Sequence, residues 1–215
     1  MEPTLEQLAL INRFTPVGLP NLTPEEVITI PFVATDNLLT RSLGKWAADD
    51  LVTLARLLPG LPFTLDHDWG DVAKSQGLVY NTRVVKTDSA PDEIVSAAGN
   101  YDSNSQIIKK EGYIVCECDV AFPNTSAIVS ALKFGMLGKV SLGGFVYKDT
   151  ICPLCETSFL DKHCPHFLPE PFWSEPNDID EKIAPYFIRS GVYDLGELSL
   201  VLIPNIPGAG VVRKN

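Results

Sequence analysis

The chain has 215 residues, 45% of them hydrophobic and 20% charged, which is typical of a globular protein with one large domain or one domain that carries an insert. Its net charge of -10 at pH 7 argues against binding to nucleic acid or to an anionic membrane, so we expect its partners to be proteins or small molecules. Residues 1–13 lack the features of a signal peptide, and no apolar run approaches the roughly 20 residues that span a bilayer. We therefore expect a cytosolic protein.

The first part of the chain carries patterns typical of a strand, a helix and an extended segment. Residues 27–33 are rich in β-branched side chains and predict a strand, and Pro31 favours a position at the edge of a sheet. Residues 47–58 repeat apolar side chains at helical spacing, and the glycine and proline that follow predict the end of this helix. Residues 63–68 then form a short extended segment that contains His67.

The middle of the chain predicts two strands, a helix and a third strand. We expect residues 77–85 and 113–121 to pair as adjacent antiparallel strands, whereas the pattern between them is too mixed to assign. Residues 126–137 have apolar side chains at helical spacing, and residues 140–147 predict a strand. Ser141 therefore lies just inside a strand that follows a helix.

The character of the chain changes between residues 149 and 190. Cysteine, proline and aromatic residues are crowded there with little periodicity, which indicates an insert. A strand pattern returns at residues 195–203. We predict an α+β, mainly β core made of residues 1–148 and 191–215, with an insert at residues 149–190.

The insert contains a pattern of metal ligands. Cys152, Cys155, Cys164 and His166 supply three thiolates and one imidazole, the ligand set that zinc prefers, and four protein ligands leave no position open for water. The sequence therefore predicts a structural Zn²⁺ that stabilises a segment with little core of its own. His163 is an alternative fourth ligand, and the simplest alternative for the whole cluster is a set of reduced cysteines in a loop.

Candidate catalytic residues lie outside the insert. His67 is the one histidine there, so it is the candidate general base, and Ser141 is followed by Gly143 and Gly144, which permit close approach of a substrate chain. Glu197 stands among apolar residues and needs a partner if it is buried. A serine nucleophile needs a base, and the base needs a third group to orient it. Taken singly, His67 also fits a structural role and Glu197 an outward-facing strand position.

Three stretches of the chain carry a family resemblance. They are Gly60-x-Pro62 through Asp66-His67-Asp68, the helix at 126–137 that runs into Val140-Ser141-Leu142-Gly143-Gly144-Phe145, and Glu197-Leu198-Ser199-Leu200-Val201 with the proline-rich turn after it. In this order they resemble the prohead maturation proteases of tailed phages, which belong to the herpesvirus-assemblin-like serine proteases. The likeness covers most of the chain from residue 27 onward.

The resemblance implies a fold, a reaction and partners. The fold is a herpesvirus-protease-like β-barrel with a few flanking helices and the zinc-binding insert. Ser141 is the implied nucleophile, His67 the implied base and Glu197 the implied third member. The implied substrates are the phage major capsid protein and the scaffold protein, cleaved inside the procapsid in the host cytoplasm; formation of a homo-oligomer is left open.

Two departures from the family pattern leave other functions open. The chain has an extra glycine, Gly143, after the nucleophile position, and no charged helical scaffold segment follows the protease region, so we expect a separate scaffold. These departures favour an alternative in which the chain is a catalytically inert, protease-derived component of the virion or of an assembly intermediate. A third hypothesis is a zinc-dependent protein-interaction module with an aromatic contact patch of Phe159, Phe167, Phe172 and Trp173.

Overall fold

The computed structural model describes residues 1–68, 74–97, 101–168 and 183–212. Within these residues the chain has an α+β, mainly β fold, as the sequence predicted. The helices are α1 (Leu5–Asn12), α2 (Ala48–Leu57), α3 (Asp92–Ala97), α4 (Tyr101–Glu111) and α5 (Ala127–Lys133). The strands are β1 (Val27–Asp36), β2 (Gly44–Trp46), β3 (Pro62–Leu65), β4 (Gly77–Thr87), β5 (Tyr113–Pro123), β6 (Lys139–Gly143), β7 (Val146–Ile151), β8 (Phe187–Asp194), β9 (Glu197–Val201) and β10 (Gly210–Val211).

A seven-stranded sheet forms the body of the protein, in the order β10-β1-β5-β4-β3-β9-β6. The long strands β1, β5 and β4 pair antiparallel, and the one parallel pair in this sheet among the described strands is β3 with β9. The mixed segment that the sequence left unassigned contains α3 and α4. Within the described part of the chain, no helix combines the length and the apolar character needed to cross a membrane.

The predicted edge position of β1 is wrong, because β1 lies between β10 and β5. Pro31 is tolerated for a local reason. Its carbonyl accepts a hydrogen bond from the amide of Val212, so the nitrogen that lacks a proton faces the same side, where β10 has ended. The proline therefore removes no hydrogen bond from the long β1–β5 ladder.

The described strands do not close into the barrel that the family resemblance implied. The two ends of the large sheet approach each other, and the amide of Val211 donates to the carbonyl of Gly138 at 2.7 Å. However, β10 has only two residues and meets the chain just before β6 begins, so a continuous ladder between the two edge strands cannot form.

The core lies against the large sheet and includes a cluster of aromatic rings. Phe32, Phe63 and Phe122 are buried, with ring centroids 5.1–6.4 Å apart. The apolar face of α2 packs on this core through Leu51 and Leu54, and acidic residues in its first turn complement the helix dipole. The same core includes Phe63 of β3, Leu198 of β9 and Val140 of β6, which belong to the three strands beside the candidate active site.

A second sheet, with three strands in the order β2-β8-β7, carries the cysteine-rich segment. β7 and β8 pair antiparallel, so that segment extends from the end of a hairpin. The predicted insert boundaries at residues 149 and 190 fall within these two strands, and residues 169–182 of the insert lie outside the described residues. The division into core and insert stays a prediction.

Candidate active site and metal centre

Three neighbouring strands bring hydroxyl side chains onto one face of the large sheet. Ser199 in the central strand, β9, is directly opposite Thr64 of β3 and Ser141 of β6. Opposed residues in adjacent strands point to the same face, and so do residues two positions along a strand. The same face therefore includes Glu197 of β9 and Gly143 of β6, which are themselves opposed.

Glu197 is a fully buried carboxylate that forms hydrogen bonds with its neighbours. It is 0% exposed, it accepts hydrogen bonds from the hydroxyls of Thr64 and Ser199, and its Oε1 lies 2.5 Å from Nδ1 of His67. Burial by itself would raise the pKa of Glu197, but the three hydrogen bonds and the nearby imidazole outweigh it and hold that pKa below its ordinary value of 4.5. The carboxylate is therefore ionised at neutral pH and can accept a hydrogen bond from the N–H group at Nδ1 of His67.

His67 is held by the turn that follows β3. Asp66 and His67 both have positive φ, at 51° and 58°, a conformation that is uncommon for residues other than glycine. The amide of Asp66 donates to the carbonyl of Leu200, and the amide of His67 donates to Oγ of Ser199 at 3.0 Å. Two hydrogen bonds thus join the turn to β9. They direct the imidazole of His67 toward the carboxylate of Glu197 on that strand.

The imidazole combines a fixed nitrogen with an accessible side chain. The His67 side chain is 40% exposed, although its Nδ1 contacts a buried carboxylate. When the N–H group at Nδ1 donates a hydrogen bond to Glu197, the neutral imidazole keeps a free lone pair on Nε2. This is the tautomer that a general base requires.

Gly143 must be a glycine because Glu197 and His67 occupy the space beside it. A Cβ built on Gly143 would lie 2.6 Å from Nδ1 of His67 and would overlap the carboxylate of Glu197. The glycine that departs from the family pattern therefore gives the imidazole and carboxylate the room in which they meet.

Ser141 lies on the same face and is largely buried, at 9% exposed. It lines a small cavity of about 20 Å³ together with Leu142, Phe145 and Arg189. Among the described residues, no hydrogen bond joins Ser141 to His67. Catalytic hydrogen bonds are often long before substrate binds, so the arrangement is compatible with a nucleophile and a base that come together in the complex.

The four predicted metal ligands lie together. The ligand atoms of Cys152, Cys155, Cys164 and His166 are all within 4.8 Å of one another, and this cluster can bind a metal ion. The sulfurs of Cys155 and Cys164 lie 3.6 Å apart, and Sγ of Cys152 lies 3.5 Å from Nδ1 of His166. Soft thiolates with an imidazole are the donor set that zinc and related metals prefer.

The local chain conformation explains which histidine joins the cluster. The amide of Cys152 donates to the carbonyl of Thr157 at 2.8 Å, which folds the first two cysteines into a tight turn directly after β7. His163 is exposed and pairs instead with Asp161 at 2.8 Å, so it is His166 that contributes the fourth ligand atom.

Hydrogen bonding also prepares one thiol for metal binding. Hydrogen bonds from Thr157 are the main cause that lowers the pKa of Cys155 to about 6, which favours the thiolate at neutral pH. Burial has the opposite effect on Cys152 and raises its pKa. Since a thiolate is the form that binds metal, Cys155 is better prepared than Cys152 to become a ligand.

Two residues of the site were missed from the sequence, namely Thr64 and Ser199. The signal for Ser199 was its spacing of two from Glu197 within a strand, which puts both side chains on one face. No local pattern marks Thr64, because its role depends on the pairing of β3 with β9. For the predicted aromatic patch, Phe167 is 60% exposed, whereas Phe172 and Trp173 lie outside the described residues.

Comparison of the chain with known protein-family models, with curated proteins and with solved structures found no match.

Proposed function

We propose that the protein is a serine endopeptidase in which Ser141 is the nucleophile, His67 the general base and Glu197 the residue that orients the base. The observation that carries this proposal is the 2.5 Å contact between Nδ1 of His67 and the buried Glu197, on the sheet face that also presents Ser141. A structural histidine would not need an ionised, fully buried carboxylate supported by two hydroxyls.

In the proposed reaction, Oγ of Ser141 attacks the carbonyl carbon of the scissile peptide bond while Nε2 of His67 takes the hydroxyl proton. The imidazolium that forms is stabilised by Glu197, and it gives the proton to the amine as the carbon–nitrogen bond breaks. A water molecule then hydrolyses the ester on Ser141, with His67 again acting as the base. Serine and histidine return to their starting states.

The resemblance to prohead maturation proteases supports a biological setting for this chemistry. We propose that the protein acts in the procapsid interior in the host cytoplasm and cleaves the capsid protein and the scaffold protein, and that its core is related to the herpesvirus proteases. The matching order of the serine, histidine and acidic segments supports this setting.

We propose that the metal is zinc and that its role is structural. Cys152, Cys155, Cys164 and His166 would hold it, and four protein ligands leave no position for a catalytic water. The ion would supply binding free energy to a segment that has little regular structure between β7 and β8.

Covalent labelling with a fluorophosphonate probe tests the proposed nucleophile. We expect the wild-type chain to be labelled on the peptide that contains Ser141 and to process co-expressed capsid or scaffold protein, whereas Ser141→Ala folds but does neither. Ser130→Ala, which changes an exposed serine on α5, is the matched control and should behave as wild type.

The alternative is the catalytically inert virion or assembly component, and the same experiment separates it from the enzyme. Equal processing in wild type and Ser141→Ala would exclude Ser141 as the nucleophile. A well-folded wild-type chain that is not labelled and cleaves nothing, and that stays intact at high copy number in mature particles, would favour the inert component.

A further inference from the structure

The hydroxyl of Ser199 contacts both the proposed base and the acid that orients it. Its Oγ accepts a hydrogen bond from the backbone amide of His67 at 3.0 Å, and the hydroxyl donates to Oε2 of Glu197. Thr64 donates to the same carboxylate oxygen, whereas Oε1 lies 2.5 Å from Nδ1 of His67. Each oxygen of the carboxylate therefore has its own partners.

The single proton of Ser199 is sufficient for both of its contacts. A serine hydroxyl has one proton to donate and two lone pairs that can accept. An ionised carboxylate is a stronger acceptor than a neutral oxygen, so the proton is donated to Glu197 and a lone pair stays available for the amide of His67. Ser199 thus acts as a donor to the acid and as an acceptor for the base at the same time.

Burial makes these hydroxyls difficult to replace. Ser199 and Glu197 are 0% exposed, and Thr64 is 2% exposed. Loss of the Ser199 hydroxyl would leave the carboxylate with one donor fewer in a place that bulk water does not reach, and a buried polar group that loses its partner is destabilised. The same loss would remove the acceptor of the His67 amide.

The hydroxyl donors to Glu197 are neutral, which suits a carboxylate that must stabilise a charge on His67 during the reaction. Across the described ranges of the chain, no lysine or arginine forms an ion pair with Glu197. A fixed positive charge there would compete with the imidazolium for the carboxylate, whereas a hydroxyl orients the carboxylate and leaves its negative charge in place.

The turn that carries His67 depends on the same hydroxyl. His67 has a φ of 58°, and a residue other than glycine keeps such a conformation only when its surroundings hold it there. The preceding amide, that of Asp66, donates to the backbone carbonyl of Leu200, a contact that a side-chain substitution does not remove. The amide of His67 instead donates to a side chain, so its position is sensitive to the residue at position 199.

We propose that Ser199 is a positioning residue whose hydroxyl holds the backbone of His67 and the carboxylate of Glu197 in one arrangement, so that Nδ1 faces Oε1. Thr64 has a smaller part, since its described contact with this pair is to the carboxylate. The inference rests on the proposed function, because it concerns the orientation of the proposed general base.

Peptide hydrolysis by matched variants tests this role. Ser199→Ala should lower kcat by about 10- to 100-fold, because a displacement of about 1 Å in an active site can cost about 10²-fold in rate. KM should stay nearly unchanged, since the buried hydroxyl cannot touch the substrate. Thr64→Val should have a smaller effect, and Thr64→Ser should keep most of the activity. Ser126→Ala and Thr35→Val are the controls, because each removes a buried hydroxyl that forms no hydrogen bond among the described residues.

A proton NMR signal reports on the same pair without catalysis. The Nδ1–H group of His67, hydrogen-bonded to Glu197, should give a downfield signal in the wild-type chain that is absent from Glu197→Gln. Ser199→Ala should broaden or abolish this signal, because a loosely held imidazole exchanges its proton with water, and Ser126→Ala should keep it. Ser199→Cys, which keeps the shape of the side chain but has only a weak donor and acceptor, gives the same test if Ser199→Ala does not fold.

The two measurements separate failure of this inference from failure of the proposed function. If the wild-type chain cleaves peptides, then either an unchanged kcat or an unchanged downfield signal in the Ser199 variants would overturn the positioning role and leave the protease standing. If the wild-type chain cleaves nothing, the protease proposal fails and the signal decides. Its loss in the Ser199 variants would then support the positioning role, whereas its retention there, or its absence from the wild-type chain, would overturn it.

Discussion

The candidate active site and the metal cluster are built from the chain in opposite ways. The metal ligands Cys152 and His166 are 14 positions apart, and they lie in one segment between two paired strands. His67 and Glu197 are 130 positions apart and meet only because β3 and β9 are neighbours in the large sheet. One site is local in the sequence, and the other depends on the tertiary structure.

This difference determines what stabilises each site. The cysteine-rich segment has little regular structure among its described residues, so we expect ligand bonds to a metal to offset the loss of chain entropy there. The residues of the candidate active site instead lie in strands, or in the turn after β3 for His67, and the ladders and buried faces of these strands exist without them. We therefore expect changes to one site to leave the other largely intact.

The largest effect is expected when the buried carboxylate loses its charge. Glu197→Gln replaces an acceptor of three hydrogen bonds with a group that must point two donors at His67, Thr64 or Ser199. The imidazole would lose its orientation, and kcat should fall by about 10⁴-fold, as expected when the third member of such a triad is neutralised. Initial rates of peptide hydrolysis measure this, with Glu2→Gln as the exposed control. A rate within a few fold of wild type would remove Glu197 from the mechanism.

The same variant gives a second readout that is independent of catalysis. Because the pKa of Glu197 is lowered on folding, its ionised form stabilises the protein above pH 4.5, and this contribution is lost as the pH falls through the lower pKa of the folded state. Denaturant unfolding on both sides of pH 4.5 should therefore show a weaker pH dependence for Glu197→Gln than for wild type. An equal slope in the two chains would contradict the lowered pKa.

Removal of the metal should have the next largest effect, and only on one region. A bound metal at 1,000 times its Kd stabilises the folded segment by about 4 kcal/mol, so a chelator should abolish amide-exchange protection around Cys152 and Cys164. Protection of β6 and β9 should persist, and peptide cleavage should continue. Hydrogen exchange read by mass spectrometry compares the two regions directly.

The two neighbouring histidines provide a matched control for the metal experiment. His166→Ala should lose metal binding and its sensitivity to chelator, whereas His163→Ala should keep both because its imidazole pairs with Asp161 outside the cluster. Loss of β6 and β9 protection on chelation would show that the two sites are coupled and would contradict the separation described above.

The smallest effect tests how closely the active site is packed. In Gly143→Ala the new methyl group would press on the carboxylate of Glu197 and on Nδ1 of His67, and a displacement of about 1 Å in such a site can cost about 10²-fold in rate. Metal content and the protection of the cysteine-rich segment should not change. Kinetics and metal analysis on the same preparation check both statements.

A second glycine separates the steric effect from backbone strain. Gly135→Ala also introduces a side chain, at a position with φ of 70° and open space around the new Cβ. It should cost some stability but leave kcat unchanged. If Gly143→Ala were as active as Gly135→Ala, the contact between the strand and the imidazole–carboxylate pair would be less tight than the structure indicates.

The sequence by itself determined the types of residue at both sites. The cysteine and histidine pattern predicted a metal site, because Cys152, Cys155, Cys164 and His166 lie close together in the chain and few other functions need these residues together. His67 was the one histidine outside the insert, and the resemblance of three stretches to the prohead proteases implied the roles of Ser141, His67 and Glu197. The mainly β class followed from strand-length runs of β-branched residues.

Only the tertiary structure decided how those residues are supported and what lies beside them. The positions of Thr64 and Ser199 depend on which strands are neighbours and in what register, since a shift of one residue would turn each side chain to the other face. The same pairing decided that the sheet stays open and that Pro31 is not at its edge. Register between strands that are far apart in the chain is set by packing of the whole core, and no local pattern encodes it.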